Sequence, residues 1–166
     1  LSLRPPLMLI AVVGLIAGLW GGLQRLGWVL PSFNANFAAQ HGVLMISGFF
    51  GTLISLERAV AIHTFQPARR WVYMAPLLSG VGSLLLILGG PELLGRSLIL
   101  LGSVVFLGVL GIMTRQQPNL EHGMMALGGV LWVVGNGLWW AAWPIYRVAA
   151  WWIGFLLLTV AGERLE

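Results

Sequence analysis

The stretch that decides the fold is Ala38-Ala39-Gln40-His41-Gly42-Val43-Leu44-Met45-Ile46-Ser47-Gly48-Phe49-Phe50-Gly51-Thr52-Leu53-Ile54-Ser55-Leu56-Glu57-Arg58. It is an apolar run long enough to cross a bilayer, which takes about 20 residues. The run opens on a histidine and closes on a carboxylate and a guanidinium. Because ionisable groups are rare within membrane-spanning helices and tend to be functional there, we expect the chemistry of the protein to begin in this stretch.

The composition of the whole chain indicates that a lipid bilayer is its solvent. Of its 166 residues, 58% are hydrophobic and only 8% are charged, whereas a soluble domain has about 25% charged residues. The 23 glycines and nine tryptophans agree with this, because glycine lets helices approach closely in lipid and tryptophan anchors them at the headgroups. We therefore predict an all-α integral membrane protein.

The basic residues argue against nucleic acid as a partner. The net charge is +4, but the nine basic residues are scattered along the chain rather than clustered. Such residues at helix ends are typical topology signals. The chain also has no cysteine, which excludes a disulfide framework, a thiolate metal site and a cysteine-held iron–sulfur cluster.

Six apolar segments reach or approach spanning length, and short loops with Pro, Gly or Asn separate them. Loops this short place consecutive helices side by side and antiparallel. The pattern predicts one transmembrane domain over residues 1–166, an up-and-down bundle of six helices, which is either complete or part of a longer chain. The predicted spans are about 6–30, 39–62, 72–90, 97–114, 123–143 and 146–162.

The arginines favour a cytoplasmic N-terminus. In that orientation the inner side collects more of them than the outer side, as the positive-inside rule requires. We therefore predict a multi-pass protein of the inner (cytoplasmic) membrane, with the first apolar segment retained because it lacks a small-residue cleavage site. The inner arginines would be Arg4, Arg58, Arg69, Arg70, Arg115 and Arg164, and the outer ones Arg25, Arg96 and Arg147.

Glycines at a spacing of four residues predict close helix packing. Gly14 and Gly18 form the small-xxx-small pattern that brings two helix backbones together in lipid. We expect the first helix to use this face against a neighbour.

His41 is the first candidate ligand. A neutral imidazole is a good axial ligand for haem iron or a ligand for copper, and the small residues that follow it leave room for a flat group. The alternative is an interfacial histidine that bonds the headgroups or a loop. Met45 lies four residues later on the same helix face, where its thioether suits copper, but these two residues cannot be the opposite axial ligands of one haem.

A family resemblance lies around this histidine. Phe33-Asn34-Ala35-Asn36-Phe37, followed by Gln40-His41-Gly42-Val43-Leu44-Met45-Ile46, resembles the second helix of the catalytic subunit of haem–copper oxidases and nitric-oxide reductases. It is also similar to the NnrS-like membrane proteins of nitric-oxide metabolism. The resemblance covers this helix alone, and the paired histidines of a copper centre are absent.

The resemblance implies a haem, or alternatively copper, in respiratory or nitric-oxide metabolism. It carries over His41 as the ligand, with Gly42 and Met45 as matching neighbours. The other histidines, His63 and His122, map to the opposite side of the membrane. A second axial ligand would therefore come from a membrane protein partner or from a missing C-terminal half.

Two acid–arginine pairs form a second group of candidate functional residues. Glu57-Arg58 and Glu163-Arg164 both close a predicted helix on the cytoplasmic side, where a charge inside the hydrocarbon costs about 2.5–3.5 kcal/mol unless it is paired or reaches the interface. We expect Glu57 to need a partner, namely Arg58, Arg164 or Arg115. These groups are either an ion-pair latch between helices or the entrance of a proton relay.

His122 is a weaker candidate for a metal or proton site. It follows Glu121 at a predicted membrane surface, but one histidine without converging ligands does not make a metal site. The alternative is an interfacial residue.

Three functions stay open at this stage, and whether the protein is an enzyme stays open with them. The first is a haem- or metal-associated membrane protein, and the second is a non-catalytic membrane subunit of a larger complex. The third is a small transporter with an inverted three-plus-three repeat. The repeat is suggested by matching offsets in the second and fifth segments, where His41, Gly42, Leu44 and Gly48 correspond to His122, Gly123, Met125 and Gly129.

Overall fold

The described part of the chain, residues 3–66 and 68–165 of a computed structural model, is helical with six long segments. This confirms the predicted all-α fold for that part. We number the helices α1, Arg4–Arg25; α2, Ala38–Phe65; α3, Arg70–Ile87; α4, Glu92–Gln116; α5, Leu120–Trp140; and α6, Ile145–Leu165.

Five of these helices are long and apolar enough to cross a membrane, namely α1, α2, α3, α4 and α6. Helix α5 has 21 residues, as many as α6, but its composition is less apolar. It carries Glu121, His122 and Asn136 together with three tryptophans. Its polar residues His122 and Asn136 are buried within the bundle.

The predicted helix breaks are confirmed, with one correction. Helices end at Ile87, Gln116 and Trp140, and the next ones begin at Glu92, Leu120 and Ile145. Asn119 caps α5 by accepting a hydrogen bond from the backbone N–H of His122 at 2.9 Å. The first span was predicted to reach residue 30, but α1 ends at Arg25. Gly27 has φ +91°, a left-handed conformation that turns the chain out of the helix.

Consecutive helices run in opposite directions, so the bundle has two ends. At the His41 end, α1, α3 and α5 finish while α2, α4 and α6 begin; the Arg58 end is the opposite one. The loop before α2 is tied to the His41 end of α3, because the Asn34 side chain donates to the carbonyls of Leu86 and Ile87 at 2.9 and 3.2 Å. These carbonyls lie in the last turn of α3, where they have no partner within the helix, and Leu86 also accepts from the backbone N–H of Gly89 at 3.2 Å.

Helix α2 occupies the centre of the bundle. Its apolar window is 61% buried, the highest value of the five membrane-length helices. It contacts α1 and α3 along its length and α4 through its second half. It also reaches α5 through Ser47, which accepts from Trp132, and α6 near Gly42, where a Cβ would lie 3.8 Å from the ring of Trp152. The stretch that looked decisive in sequence is therefore the core helix.

The middle of α2 is not an α-helix. Residues Leu44–Gly51 form a π-helical segment between two α-helical parts, and the Thr52 N–H donates to the carbonyl of Ser47, five residues back. Such wide turns are rare and occur frequently at functional sites. The segment also contains a close backbone approach to α1: a Cβ on Gly14 would lie 2.7 Å from the carbonyl carbon of Gly48. The predicted glycine packing face of α1 is thus confirmed.

Candidate functional site

His41 lies at the start of α2 with its ring against α1. Its Nδ1 atom is 2.6 Å from the carbonyl oxygen of Gly18. A carbonyl only accepts hydrogen bonds, so Nδ1 carries the proton and Nε2 of the neutral ring keeps a lone pair. The ring is half-buried. Metal-ligating histidines are commonly oriented in this way, with the other ring N–H donating to a backbone carbonyl.

Two adjacent glycines of α1 make room for this ring. A Cβ on Gly22 would lie 2.9 Å from both Cε1 and Nδ1 of His41, and a Cβ on Gly21 would lie 3.5 Å from its Cβ. Real Cβ atoms essentially never come as close as 2.9 Å. The imidazole therefore keeps its position only because position 22 has no side chain.

Met45 lies against the same part of α1. A Cβ on Gly18 would lie 2.7 Å from Sδ of Met45, so Gly18 touches Met45 and also accepts the hydrogen bond of His41. The two side chains share a helix face, as their spacing predicts. Gly42, the third residue carried over by the resemblance, lies elsewhere, and a Cβ there would be 3.8 Å from the ring of Trp152.

A buried polar cluster surrounds Ser47 in the π-helical segment. Trp132 donates to Ser47 Oγ at 3.1 Å, and Ser47 Oγ in turn donates to Asn136 Oδ1 at 3.4 Å. The Ser47 carbonyl accepts from the hydroxyls of Ser79 at 2.8 Å and Thr52 at 3.1 Å. These residues come from three helices, and all are essentially inaccessible to solvent.

The orientation of the Asn136 amide is determined by its neighbour. Trp152 Nε1 lies 3.0 Å from Asn136 Oδ1, and an indole N–H can only donate, so the oxygen must be on that side. The Nδ2 atom of Asn136 is buried and has no hydrogen-bond partner among the described residues. A buried donor without an acceptor costs about 1–3 kcal/mol, so this group is a candidate contact for a ligand or water.

Arg58 and Glu163 meet between α2 and α6. Arg58 Nη2 lies 3.0 Å from Glu163 Oε1, and the two side chains are 8% and 24% exposed. The ion pair thus links Glu57-Arg58 with Glu163-Arg164, but only Arg58 and Glu163 take part in it. Glu57 and Arg164 are exposed, and Glu57 forms no ion pair among the described residues.

His122 is buried within the protein, with 4% of its surface exposed. Its Nδ1 lies 3.1 Å from the carbonyl oxygen of Gln117. It lines a cavity at the Arg58 end that Arg58 also lines. Arg58 and His122, which the sequence offered as separate candidates, therefore line the same cavity. Their separation in sequence did not suggest this. The rings of His122 and His41 have different surroundings, since Nδ1 of His41 bonds a carbonyl of α1, whereas Nδ1 of His122 lies by the carbonyl of Gln117, just before α5.

Within residues 3–66 and 68–165, no group of three or more His, Asp or Glu side chains could hold a metal ion. At the His41 end, the residues that fit a cofactor are His41, as one ligand through Nε2, and Met45 beside it. A complete site would need a further donor from elsewhere.

The sequence reasoning missed the polar cluster. Asn136 is the only Asn, Asp, Glu, Lys or Arg in the apolar part of α5 from residue 123 to 140, and a strongly polar side chain within a membrane helix is itself a functional signal. That signal was available. The pairing of Asn136 with Ser47 and Trp152 could not be predicted, because it depends on how three helices are rotated.

Comparison with known proteins identifies the chain only at the level of a family. No curated protein matches it, and no solved structure does. A family model described as "Domain of unknown function (DUF8744)" matches residues 4–166. The match covers nearly the whole chain, including His41, the polar cluster and the Arg58–Glu163 pair. The chain belongs to the DUF8744 family.

Proposed function

We propose that this is an integral membrane protein of the inner membrane that binds haem through His41, with copper as the alternative. All six helices cross the bilayer, and the N-terminus is cytoplasmic. The length and apolarity of five helices support this. Helix α5 joins them because its polar groups His122 and Asn136 are buried against other helices, which is how membrane helices accommodate such groups.

The hydrogen bond between His41 and Gly18 carries the proposal. At 2.6 Å, it places the proton on Nδ1 and leaves the Nε2 lone pair available for a metal. The same bond orients the ring and raises its basicity as a ligand. A bound haem would supply electron transfer or binding of a small gas at its iron.

The remaining ligands would come from outside the described helices. His63 and His122 lie toward the Arg58 end, on the far side of the bundle from His41, so neither is the second axial ligand. A membrane protein partner, or further chain, would supply it. If copper is the metal, Met45 is the residue in place to add a thioether.

The test is an absorption spectrum of natively purified protein, oxidised and dithionite-reduced, alongside metal analysis. We expect a haem signature, or bound copper, that is lost in His41→Ala and kept in the control His63→Ala on the same helix. Loss on Met45→Leu would favour copper. A wild-type protein that is colourless and free of copper would contradict the proposal and favour a non-catalytic membrane subunit.

A transporter is the second candidate, and one observation favours it. The unpartnered Asn136 Nδ2 lies beside the π-helical segment of α2, and transporters bind substrates at interrupted helices near the bilayer centre. Proteoliposomes with an internal pH-sensitive dye provide the test. Proton flux in the wild type that Asn136→Leu abolishes would support transport, whereas flux unaffected by this change would count against it.

A further inference from the structure

The cavity at the Arg58 end lies between the last turns of α2 and α4 and the start of α5. Its volume is about 290 Å³, close to the lower limit of about 300 Å³ for small-molecule sites. This is enough for a headgroup-sized ligand. The cavity is at the opposite end of the bundle from His41, so what it binds is independent of the haem proposal.

The polar groups on its wall are cationic or amide groups. Arg58 is 7% exposed and His122 4%, and the other polar lining residues are Gln66, Gln116 and Gln117. No carboxylate is among the described lining residues. Guanidinium and amide N–H groups are donors that suit an anion, whereas a cation would find no charged acceptor there.

Glu163 orients the guanidinium of Arg58. Glu163 pairs with Nη2 of Arg58 at 3.0 Å, and it is not among the residues that line the cavity. A guanidinium has five N–H donors in a rigid planar fork, so one group can contact Glu163 on one side and the cavity on the other. Arginine is a common phosphate ligand in proteins, because its N–H groups match the phosphate oxygens.

The start of α5 adds to the preference for an anion. His122 lies in its first turn, after the Asn119 cap, and the N-terminal end of a helix carries a partial positive charge. Arg69, Arg70 and Arg115 lie at the same end of the bundle by chain position. Arginines outnumber carboxylates at this end, where Glu57, Glu121 and Glu163 are the described acids.

The rest of the wall is apolar and continues to the surface. Met113 and Ile62 line the cavity together with Phe65, whose side chain is 84% exposed. In a membrane, this rim would lie where the hydrocarbon meets the headgroups. A ligand with a phosphate inside and an acyl chain outside fits both parts.

We propose that this cavity binds a phosphate group, through Arg58 and the amide side chains around it. This rests on the membrane orientation proposed above, in which the Arg58 end is cytoplasmic: the source is an anionic phospholipid of that leaflet, since basic pockets between transmembrane helices on that side bind such headgroups. Free phosphate is the other source with the same chemistry.

The experiment measures binding to the full chain in detergent, by native mass spectrometry and by thermal stabilisation. The probes are phosphatidylglycerol, phosphatidylcholine and inorganic phosphate. We expect phosphatidylglycerol to bind at least about tenfold more tightly than phosphatidylcholine, because the choline cation beside the phosphate of phosphatidylcholine is repelled by Arg58 and cancels the net charge of the headgroup. Saturable binding of inorganic phosphate alone would assign the same site to the free anion.

Variants connect the binding to this cavity. We expect Arg58→Gln to weaken phosphatidylglycerol binding about tenfold or more, whereas the control Arg164→Gln, an exposed arginine at the same end, changes it less than about twofold. Because Arg58→Gln also breaks the ion pair with Glu163, the double variant Gln66→Ala with Gln117→Ala tests the site with that pair intact. It should weaken binding severalfold.

Equal binding of all three probes, or none, would overturn the proposal. Equal loss in Arg58→Gln and Arg164→Gln would also overturn it, because binding would then depend on the overall charge of this end and not on the cavity.

Discussion

Trp132 fills the space that a side chain on Gly51 would need. A Cβ on Gly51 would lie 2.2 Å from Cζ2 of Trp132, and Trp132 is completely buried, stacked on Phe155 at 4.7 Å between ring centroids. The π-helical segment of α2 ends at this glycine. The close contact between α2 and α5 therefore requires a residue without a Cβ atom at position 51.

Gly51→Ala should lower the free energy of unfolding by about 1–3 kcal/mol, as overpacking in a rigid core does. Thermal unfolding in detergent measures this. Gly137→Ala is the matched control on α5, because its Cβ would meet nothing within 4 Å and alanine favours a helix by about 1 kcal/mol over glycine. Equal stability of the two variants would contradict the packing described.

The Asn136 cluster predicts an order of effects. Asn136→Leu leaves the indole N–H of Trp152 and the hydroxyl of Ser47 without their acceptor, at about 1–3 kcal/mol for each buried group. Trp152→Phe removes a single donor, and Asn136 Oδ1 keeps Ser47 at 3.4 Å. We therefore expect Asn136→Leu to destabilise more than Trp152→Phe in the same unfolding assay. The reverse order would mean that packing of the indole outweighs its hydrogen bond.

The Arg58–Glu163 pair predicts strong non-additivity. Breaking a buried pair by removing one partner costs about 3–5 kcal/mol, and we expect somewhat less here because the Glu163 side chain is 24% exposed. Arg58→Met and Glu163→Gln should each destabilise, whereas the double variant should lose less than their sum. Arg164→Met, at an exposed neighbour, should stay within about 0.5 kcal/mol of wild type. Additive losses would show that the two residues do not interact.

Asn34 should contribute to stability through the end of α3. Asn34→Ala removes the donor to the Leu86 and Ile87 carbonyls, and we expect a loss of about 1 kcal/mol. Hydrogen exchange should also rise in the last turn of α3. Asn36→Ala is the control in the same loop, since Asn36 is exposed. A similar response of both variants would indicate a general effect on the loop.

Gly22→Ala tests the position of the His41 ring. The new methyl group would meet Cε1 and Nδ1 of His41 at 2.9 Å, so the ring must move and its bond to Gly18 must lengthen. We expect reduced haem or copper content, together with an altered Nδ1 chemical shift by nitrogen NMR, which needs no bound cofactor. Gly108→Ala, where a Cβ meets nothing within 4 Å, should leave both unchanged. An unchanged chemical shift in Gly22→Ala would contradict the geometry at His41.

Much of the fold could be predicted from the sequence. Six apolar segments and the breaks between them are local properties, because hydrophobicity and Gly or Pro turns act over a few residues. The shared face of His41 and Met45 follows in the same way from helical periodicity. The end of α1 was missed by five residues, because Trp28, Val29 and Leu30 are apolar although the chain has already turned at Gly27.

The tertiary structure decided which side chains meet. Neighbours in a helix point about 100° apart, so nothing local distinguishes Glu57, which is exposed, from Arg58, which is buried against Glu163. The same reason hid the contact of Asn136 with Ser47 and the shared cavity of Arg58 and His122. By itself, the sequence determined the helices and the position of His41 near one end. The rotation and close packing of those helices around α2 decided which side chains are in contact between helices, because such contacts depend on the whole bundle.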